Sequence, residues 1–405
     1  MIQVIPNRTW AEIDLDVLAQ NMREIRRITS PGAEVMGVVK ADGYGHGAIQ
    51  VSEVLLENGA TRLAVSMLDE AIELRKHGII EPILILSHTD PRRIHEVIAY
   101  DLTLTVFAYD FAEALSQEAQ KENEEIRIHI KIDTGMGRIG YLDGEESIEE
   151  ILRISDLPGI DIEGIFTHFS TSDEPDTAYV ELQFNRFIKM TDELEKRGLH
   201  IPIKHACNSA AILRFPHMHL DMVRAGLIMY GMWPKGCPQA YQPITLVPAM
   251  TLKSSVMYVK DLPAEHAVSY GRHYVTEKDS VIATISIGYA DGYARRLSNR
   301  ADVLVYGKRA RVVGNVCMDM CMLDVTDFEK RPEISDEVVL FGTQIIGSEK
   351  YYLPVDEISD LLDTINYEIT CLIGKRVPRV YLQSDETAPD AQLYLVGIRD
   401  FFHPN

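Results

Sequence analysis

A lysine closes the apolar run VVK at 38–40 and leads straight into the loop ADGYGHG, which has glycines at 43, 45 and 47. Burying an ammonium is costly, so a lysine in such a run is paired, exposed at a rim, or chemically consumed. A Schiff base to an aldehyde cofactor consumes it, and lysine is the side chain that forms one. Glycines in the following loop let backbone approach a ligand closely. A rim lysine in a salt bridge fits the same residues, so Lys40 alone leaves both readings open. Further polar groups stand at or near the ends of apolar runs: Arg138 after RIHIKID, His168 ending DIEGIFTH, Asn208 and Ser209 after IPIKHAC, and Arg224 within DMVRAGL. Asn208-Ser209 also reads as an ordinary helix cap, and His205 as a satisfied core histidine. The stretch CMDMC at 317–321 holds soft ligands, but no histidine lies beside it. Methionine and cysteine there fill a core, and no metal is expected.

These residues need a scaffold. From about residue 15 to 230 short runs rich in Val, Ile and Leu alternate with segments of helical periodicity. Eight runs read as strands: 34–40, 62–67, 82–87, 102–107, 127–133, 161–168, 201–207 and 221–227. Near-continuous apolar runs mark strands buried on both faces, as parallel sheets have. Between them LDEAIELRKHG (68–78) places Ala71, Leu74 and Arg75 at helical spacing and ends on Gly78. In 177–198 the spacing puts Leu182, Phe184, Phe187 and Ile188 on one stripe. Eight strands alternating with helices predict a (β/α)8 barrel, with its chemistry on the rim where the strands end. An open doubly wound sheet would give the same local pattern. After about residue 244 closely spaced strand-like segments (AMTLKSSVMYVK, SVIATISIG, ADVLVYG, ARVVGNV, CMLDV) predict a mainly β domain. A helix at 355–365 and a strand near VPRVYL follow. The expected division is 1–243 and 244–405.

A chain of 405 residues normally forms more than one core. Its net charge of −21 repels nucleic acid and anionic lipid, so neither is an expected partner. The start, MIQVIPNRTWAEIDLD, does not read as a secretory signal, and no apolar run approaches the ~20 residues of a membrane span. Five cysteines without a CxxC pair predict neither a disulfide framework nor a zinc site and fit a reduced, cytoplasmic home.

VVKADGYGHG strongly resembles the cofactor-lysine motif of the alanine racemases. HIKIDTGMGRIG, GIFTHFSTSDE, HACNSAA and VRAGLIMYG resemble that family's barrel signatures. In the second half VSYGRHY, IGYADGYARR, GNVCMDMCM and TINYEITCLIGKRVPR resemble the family too, in the same order along nearly the whole chain. The tail after Tyr381 extends beyond the pattern. The resemblance implies an N-terminal (β/α)8 TIM-type barrel, a C-terminal mainly-β domain, and a homodimer with shared active sites. It implies pyridoxal 5'-phosphate as cofactor, L- and D-alanine as substrates, and D-alanine for peptidoglycan as the product's use.

Residue roles follow from the same resemblance. Lys40 holds the cofactor and moves the proton on the D face, while Tyr270 of the other subunit serves the L face. A free phenol titrates near ~10, so such a base needs a nearby cation or donor, with Arg138 and His168 as the implied suppliers. Arg224 faces the cofactor's pyridine nitrogen. Arginine keeps its proton, so the ring nitrogen stays unprotonated and the electron sink is weakened, which disfavours transamination. His205 orients Arg224. The phosphate is held by Tyr44, Asn208, Ser209, Tyr367 and the amides of Gly226 and Leu227, the start of a short helix suiting an anion. Arg138, Met318 and Asp319 take the substrate carboxylate, Tyr289 stands at the entrance, and Lys131 matches a lysine carbamoylated in some members. Tyr270 and Tyr367 leave room for little beyond a methyl group, favouring alanine over serine. A serine or broad-specificity racemase, a decarboxylase of similar architecture and a non-catalytic cofactor carrier are the alternatives. The first is separated by turnover of serine, and the other two are disfavoured by Tyr270, Arg224 and the β domain.

Overall fold

A computed structural model describes residues 8–384 and 393–399. The acidic stretch of the tail at 385–392 lies outside them. Contacts divide the chain into two compact units. One comprises residues 18–44 and 48–247; the other takes the first strand, residues 45–47, and the described chain from Pro248 onward.

In chain order the strands are β1 (Thr9–Asp14), β2 (Glu34–Val38), β3 (Arg62–Val65), β4 (Ile83–Ile85), β5 (Thr103–Val106), β6 (Ile126–Asp133), the two-residue β7 (Tyr141–Leu142), β8 (Ile160–Phe166), β9 (Ile203–His205) and β10 (Met222–Ala225). In the first unit β2, β3, β4, β5, β6, β8, β9 and β10 pair in parallel in that order, and β10 returns to β2. The eight-stranded sheet is closed. It is the TIM-type barrel, and the open-sheet alternative is set aside. Closure, with helices outside, explains why β4, β5 and β10 are buried at every residue. Met36 and Val38 of β2, Ala64, Leu84, Ile203 and Met222 form one buried apolar cluster. Side chains two apart on a strand share a face, so Arg224 joins Met222 there and His205 joins Ile203.

The helix over Leu68–Lys76 buries Leu68, Ala71, Ile72 and Leu74, and Gly78 follows with φ +92°. Over Ala178–Lys196 the inward stripe is Val180, Gln183, Phe187, Met190, Thr191 and Leu194. Leu182, expected on that stripe, is exposed instead. A polar glutamine, Gln183, occupies an inward position there, held by hydrogen bonds to Ser170 N–H and His168 O, in a stripe that otherwise keeps Phe187 and mostly apolar residues.

The second unit continues with β11 (Met250–Leu262), β12 (Ala267–Val268), β13 (Tyr274–Val275), β14 (Ser280–Ile285), β15 (Asp302–Val305), β16 (Lys308–Val313), β17 (Cys321–Asp324), β18 (Glu337–Ile346), β19 (Glu349–Leu353), β20 (Arg379–Ser384) and β21 (Leu393–Arg399). Antiparallel pairings run β11–β14–β17–β16–β15–β18 and return to β11, so these six also close on themselves. The hairpin β18–β19 turns on Gly347-Ser348, a glycine-led two-residue loop that suits a tight hairpin. β1 pairs antiparallel with β11 and parallel with β20, which carries the chain's first strand into the mainly-β unit.

Candidate active site

Lys40 stands two residues past β2. The next four residues, Ala41, Asp42, Gly43 and Tyr44, all have left-handed φ, between 53° and 61°. Side-chain-bearing residues pay for that conformation, roughly 1–2 kcal/mol each, so the turn persists because its surroundings fix it. Glu70 Oε1 accepts from Ala41 N–H at 2.7 Å, Asp42 Oδ1 accepts from Ala48 N–H at 2.9 Å, and Gly43 N–H donates to Val39 O at 2.8 Å. The Tyr44 ring lies 5.0 Å from that of Tyr230, whose hydroxyl donates to Val38 O at 3.1 Å. The loop's other two glycines have a different use from the one expected. A Cβ on Gly45 would fall 2.1 Å from Thr370 O, and one on Gly47 1.8 Å from Tyr381 Oη. They admit the protein's own chain rather than a ligand.

Strand β6 alternates Ile128, Ile130 and Ile132 with His129, Lys131 and Asp133. Asp133 Oδ1 accepts from the N–H groups of Gly135, Met136 and Gly137 at 2.9, 2.9 and 3.1 Å, shaping the loop that presents the exposed Arg138. Lys131 is buried and donates to Ile132 O at 2.6 Å. Burial, with Arg224 and Arg138 near and Asp133 opposing, pushes its ammonium down to about 7.

Arg224 is buried on β10. Its Nη1 donates to His205 Nδ1 at 2.9 Å, and its Nη2 to the carbonyls of Thr167 and Ala206 at 2.8 and 2.9 Å, with His168 Nδ1 at 3.3 Å. Burial lowers its guanidinium to about 10. Phe166 stacks on His205 at 4.7 Å and lies under Arg224 at 5.3 Å. Burial first, then the charges of Arg224, Arg138, Lys131 and Lys40, hold His168 far below the usual imidazole range. A histidine held neutral under the positive charge of Arg224 and Arg138, in a chain of net charge −21, suits an anionic ligand.

Ser209 opens the short helix Ser209–Arg214, capped by Asn208 Oδ1, which accepts from Ala211 N–H at 3.1 Å. Gly226 N–H donates to Ser209 Oγ at 2.9 Å, and Leu227 begins the following turn. A Cβ on Gly226 would lie 3.0 Å from Tyr44 Oη and 3.3 Å from Ser209 Oγ. Two hydroxyls and a backbone amide therefore converge where the glycine leaves space.

The remaining candidates belong to the second unit. Tyr289 N–H donates to Cys317 O and Ala290 N–H to Met318 O, both at 3.0 Å, so Tyr289 and Met318 adjoin. Asp319 pairs with Arg376 at 2.7 Å. Tyr270 follows Ser269, at φ 66°, and its carbonyl accepts from Asn315 Nδ2 at 2.7 Å. Tyr270, Tyr289 and Met318 are 71%, 42% and 53% exposed. Tyr367 is half-buried in the helix Asn366–Leu372. Among the described residues no three His, Cys, Asp or Glu side chains gather as a metal site.

Against known families, residues 13–234 match the alanine racemase N-terminal domain and 249–381 its C-terminal domain. The chain belongs to the alanine racemase family. That family is one of isomerases. The chain is 48% identical to an alanine racemase of Clostridium acetobutylicum, covering 93% of this chain and 96% of that one. It is 46% identical to one of Clostridium tetani, covering 97% and 98%. The solved alanine racemase of Clostridium difficile superposes with a TM-score of 0.90 at 39% identity, covering 98% of this chain and all of that one. No helix among the described residues is long and apolar enough to cross a membrane.

This family member also has site-adjacent residues that sequence reasoning did not single out. His129, buried on β6, contacts His205, and Glu163 on β8 contacts His129. Gln183, fully buried, accepts from Ser170 N–H and donates to His168 O, fixing the loop that carries His168. For His129 and Gln183 the signal available was a polar residue among apolar neighbours; Glu163, alternating with Asp161, carried none.

Proposed function

We propose that this protein interconverts L- and D-alanine using pyridoxal 5'-phosphate, as a homodimer whose sites take residues from both chains. The observation that carries the reading is the space at Gly226, which Tyr44 Oη and Ser209 Oγ both face, with Tyr44 only four residues on from Lys40. The residues present fit the cofactor. Tyr44, Ser209 and the Gly226 amide converge as phosphate ligands do, with Asn208 and Leu227 next to them in sequence, and Tyr367 is the further hydroxyl proposed for the phosphate. Arg224 keeps Nε–H and one Nη1–H uncommitted among the described residues, donors that a pyridine nitrogen accepts. When bound, the group supplies an electron-withdrawing ring conjugated to the substrate's α-carbon, which acidifies its C–H bond.

The chain's own residues do the rest. Lys40 Nζ holds the cofactor's aldehyde carbon and takes or returns the α-proton on the D face. Tyr270 Oη of a second copy serves the L face. Its exposure in the single chain, 71%, supports this, because such a tyrosine is available to a neighbour. Arg138 and the backbone at Met318 hold the substrate carboxylate, with Asp319 beside them. Arg224 donates to the ring nitrogen without yielding a proton, which limits charge delocalisation and favours return of the proton to the α-carbon. His205 positions Arg224. D-alanine for peptidoglycan is the product's proposed use.

The test is chiral analysis of L-alanine and, in parallel, L-serine after incubation with the protein and pyridoxal 5'-phosphate. Conversion of alanine to both enantiomers with serine far behind supports the reading. Equal turnover replaces it with a broad-specificity racemase. No racemisation of either removes it and leaves decarboxylation or cofactor carriage.

A further inference from the structure

The hydrogen bonds behind Arg224 form a line across the barrel. His205 accepts from Arg224 at Nδ1, at 2.9 Å, and its Nε2 lies 2.8 Å from His129 Nδ1. His129 Nε2 lies 3.0 Å from Glu163 Oε2, and Glu163 Oε1 accepts from Arg62 Nη1 at 2.8 Å. Arg62 Nε donates onward to Glu34 Oε2 at 2.9 Å.

The chemistry of the two ends fixes every proton between them. Arg224 has no acceptor, so His205 Nδ1 must be bare and its proton sits on Nε2. That proton points at His129 Nδ1, which must then be bare as well. His129 carries its proton on Nε2 and donates it to a carboxylate that can only accept. A cationic His129 would confront the His205 N–H with another N–H, so both rings are neutral. Burial depresses both imidazoles, in accord with that count.

The backbone is built for this line. Ile128 pairs with Ile162 but His129 with Gly164, so β8 bulges at Glu163. A bulge re-aims a side chain, here bringing Glu163 to the face that His129 shares. Opposite it, a Cβ on Gly164 would fall 2.5 Å from the His129 ring. That glycine leaves room for the imidazole.

We propose that Glu163 is a positioning residue for the reaction: acting through His129 and His205, it orders the hydrogen bonds in one direction and keeps an acceptor facing Arg224. The proposal rests on the reading above in taking pyridoxal 5'-phosphate as the cofactor, racemisation as the reaction and Arg224 as the partner of the ring nitrogen; the order of the hydrogen bonds does not. Glu163→Gln reverses the order. The amide oxygen goes to the Arg62 cation and the NH2 turns to His129 Nε2. The proton moves to Nδ1 on both rings, and His205 then meets Arg224 donor to donor. Glu163→Asp keeps an acceptor and the original order.

The experiment is ring-nitrogen NMR of the full chain labelled with 15N-histidine, with and without pyridoxal 5'-phosphate. Loaded protein is also examined for its visible absorption band and for cofactor lost to transamination per racemisation turnover. In the unsubstituted chain, Nε2–H tautomers are expected at both rings from pH 6 to 9. In Glu163→Gln, Nδ1–H tautomers are expected, with a displaced absorption band and a rise of about tenfold or more in transamination per turnover. Glu163→Asp should restore all three. Unchanged tautomers in Glu163→Gln, a cationic ring in the unsubstituted chain, or switched tautomers with an unmoved band and ratio would each overturn the proposal. Absence of any cofactor band in the unsubstituted chain would instead defeat the cofactor reading, and the tautomers would still report on the relay.

Discussion

Two bases of different chemistry on opposite faces of one carbon should fail differently. Lys40 and Tyr270 are proposed to handle opposite faces, so Tyr270→Phe should leave cofactor binding intact and remove the group acting on L-alanine. Proton exchange from L-alanine in D2O, followed in a single turnover, should fall at least a hundredfold, while exchange from D-alanine falls far less. Equal losses from both enantiomers would show that the two-base assignment is wrong. Lys131 makes a second residue-scale prediction, and its sign can be worked out. Its folded value is about 7 against an ordinary 10.5, so between those limits the unfolded chain holds a proton that the folded chain has released. Stability attributable to this group therefore rises with pH across that window, and below it the buried ammonium costs roughly 5 kcal/mol. The neutral amine is also the form that adds carbon dioxide, giving a carbamate anion and a released proton. With 13C-bicarbonate, a carbamate resonance should grow from pH 6 to 8 and be missing in Lys131→Met. A signal that persists in that variant would place the carbamate elsewhere.

At the scale of elements, Gly226 is the clearest handle on the proposed phosphate site. An alanine there puts a methyl 3.0 Å from Tyr44 Oη and 3.3 Å from Ser209 Oγ, where an anion's oxygens would lie. Gly226→Ala should weaken pyridoxal-phosphate retention by about tenfold or more, read by equilibrium dialysis, and should also lower the melting temperature of the cofactor-free chain, because Tyr44 and Ser209 must give way to the methyl. A fully retained cofactor would put the phosphate somewhere else. Much of this level was legible in advance. The eight barrel strands lie within or close to the apolar runs, because a strand buried on both faces writes its position directly into composition. The helix at 178–196 was legible in extent and in the burial of Phe187, but Leu182 lies outside its inward face, where Gln183 instead turns in to hold backbone around His168. Lys40, His168, Ser209 and Arg224 stood out because each interrupts or ends an apolar run. His129 and Glu163 did not. Their partnership depends on a bulge between β6 and β8, and a register shift between strands leaves no mark in either strand's own periodicity. The glycines at 45 and 47 misled for a related reason: what they approach lies more than 300 residues away in sequence.

For the whole molecule the same distance in sequence decides what could be foreseen. β1 reads as an ordinary strand, but its partners β11 and β20 lie about 240 and 370 residues on, so its membership of the mainly-β unit follows from pairing alone. The proposed assembly has a comparable logic and a sharper test. If each site combines Lys40 of one chain with Tyr270 of another, chains carrying Lys40→Ala or Tyr270→Phe are each inactive alone toward L-alanine. A dimer holding one of each then concentrates both defects in one site and leaves the other with both native groups. With free exchange of subunits half the dimers are mixed, so racemisation should return to about a quarter of the unsubstituted rate. Complementation also needs a concentration at which dimers exchange, so the mixture should be dissociated and reassembled before assay, with each variant alone treated identically. Sites complete within a single chain would give no recovery at any mixing ratio. Recovery near a quarter, scaling with the product of the two variants' fractions, would establish that the tyrosine reaches its substrate only in a second copy.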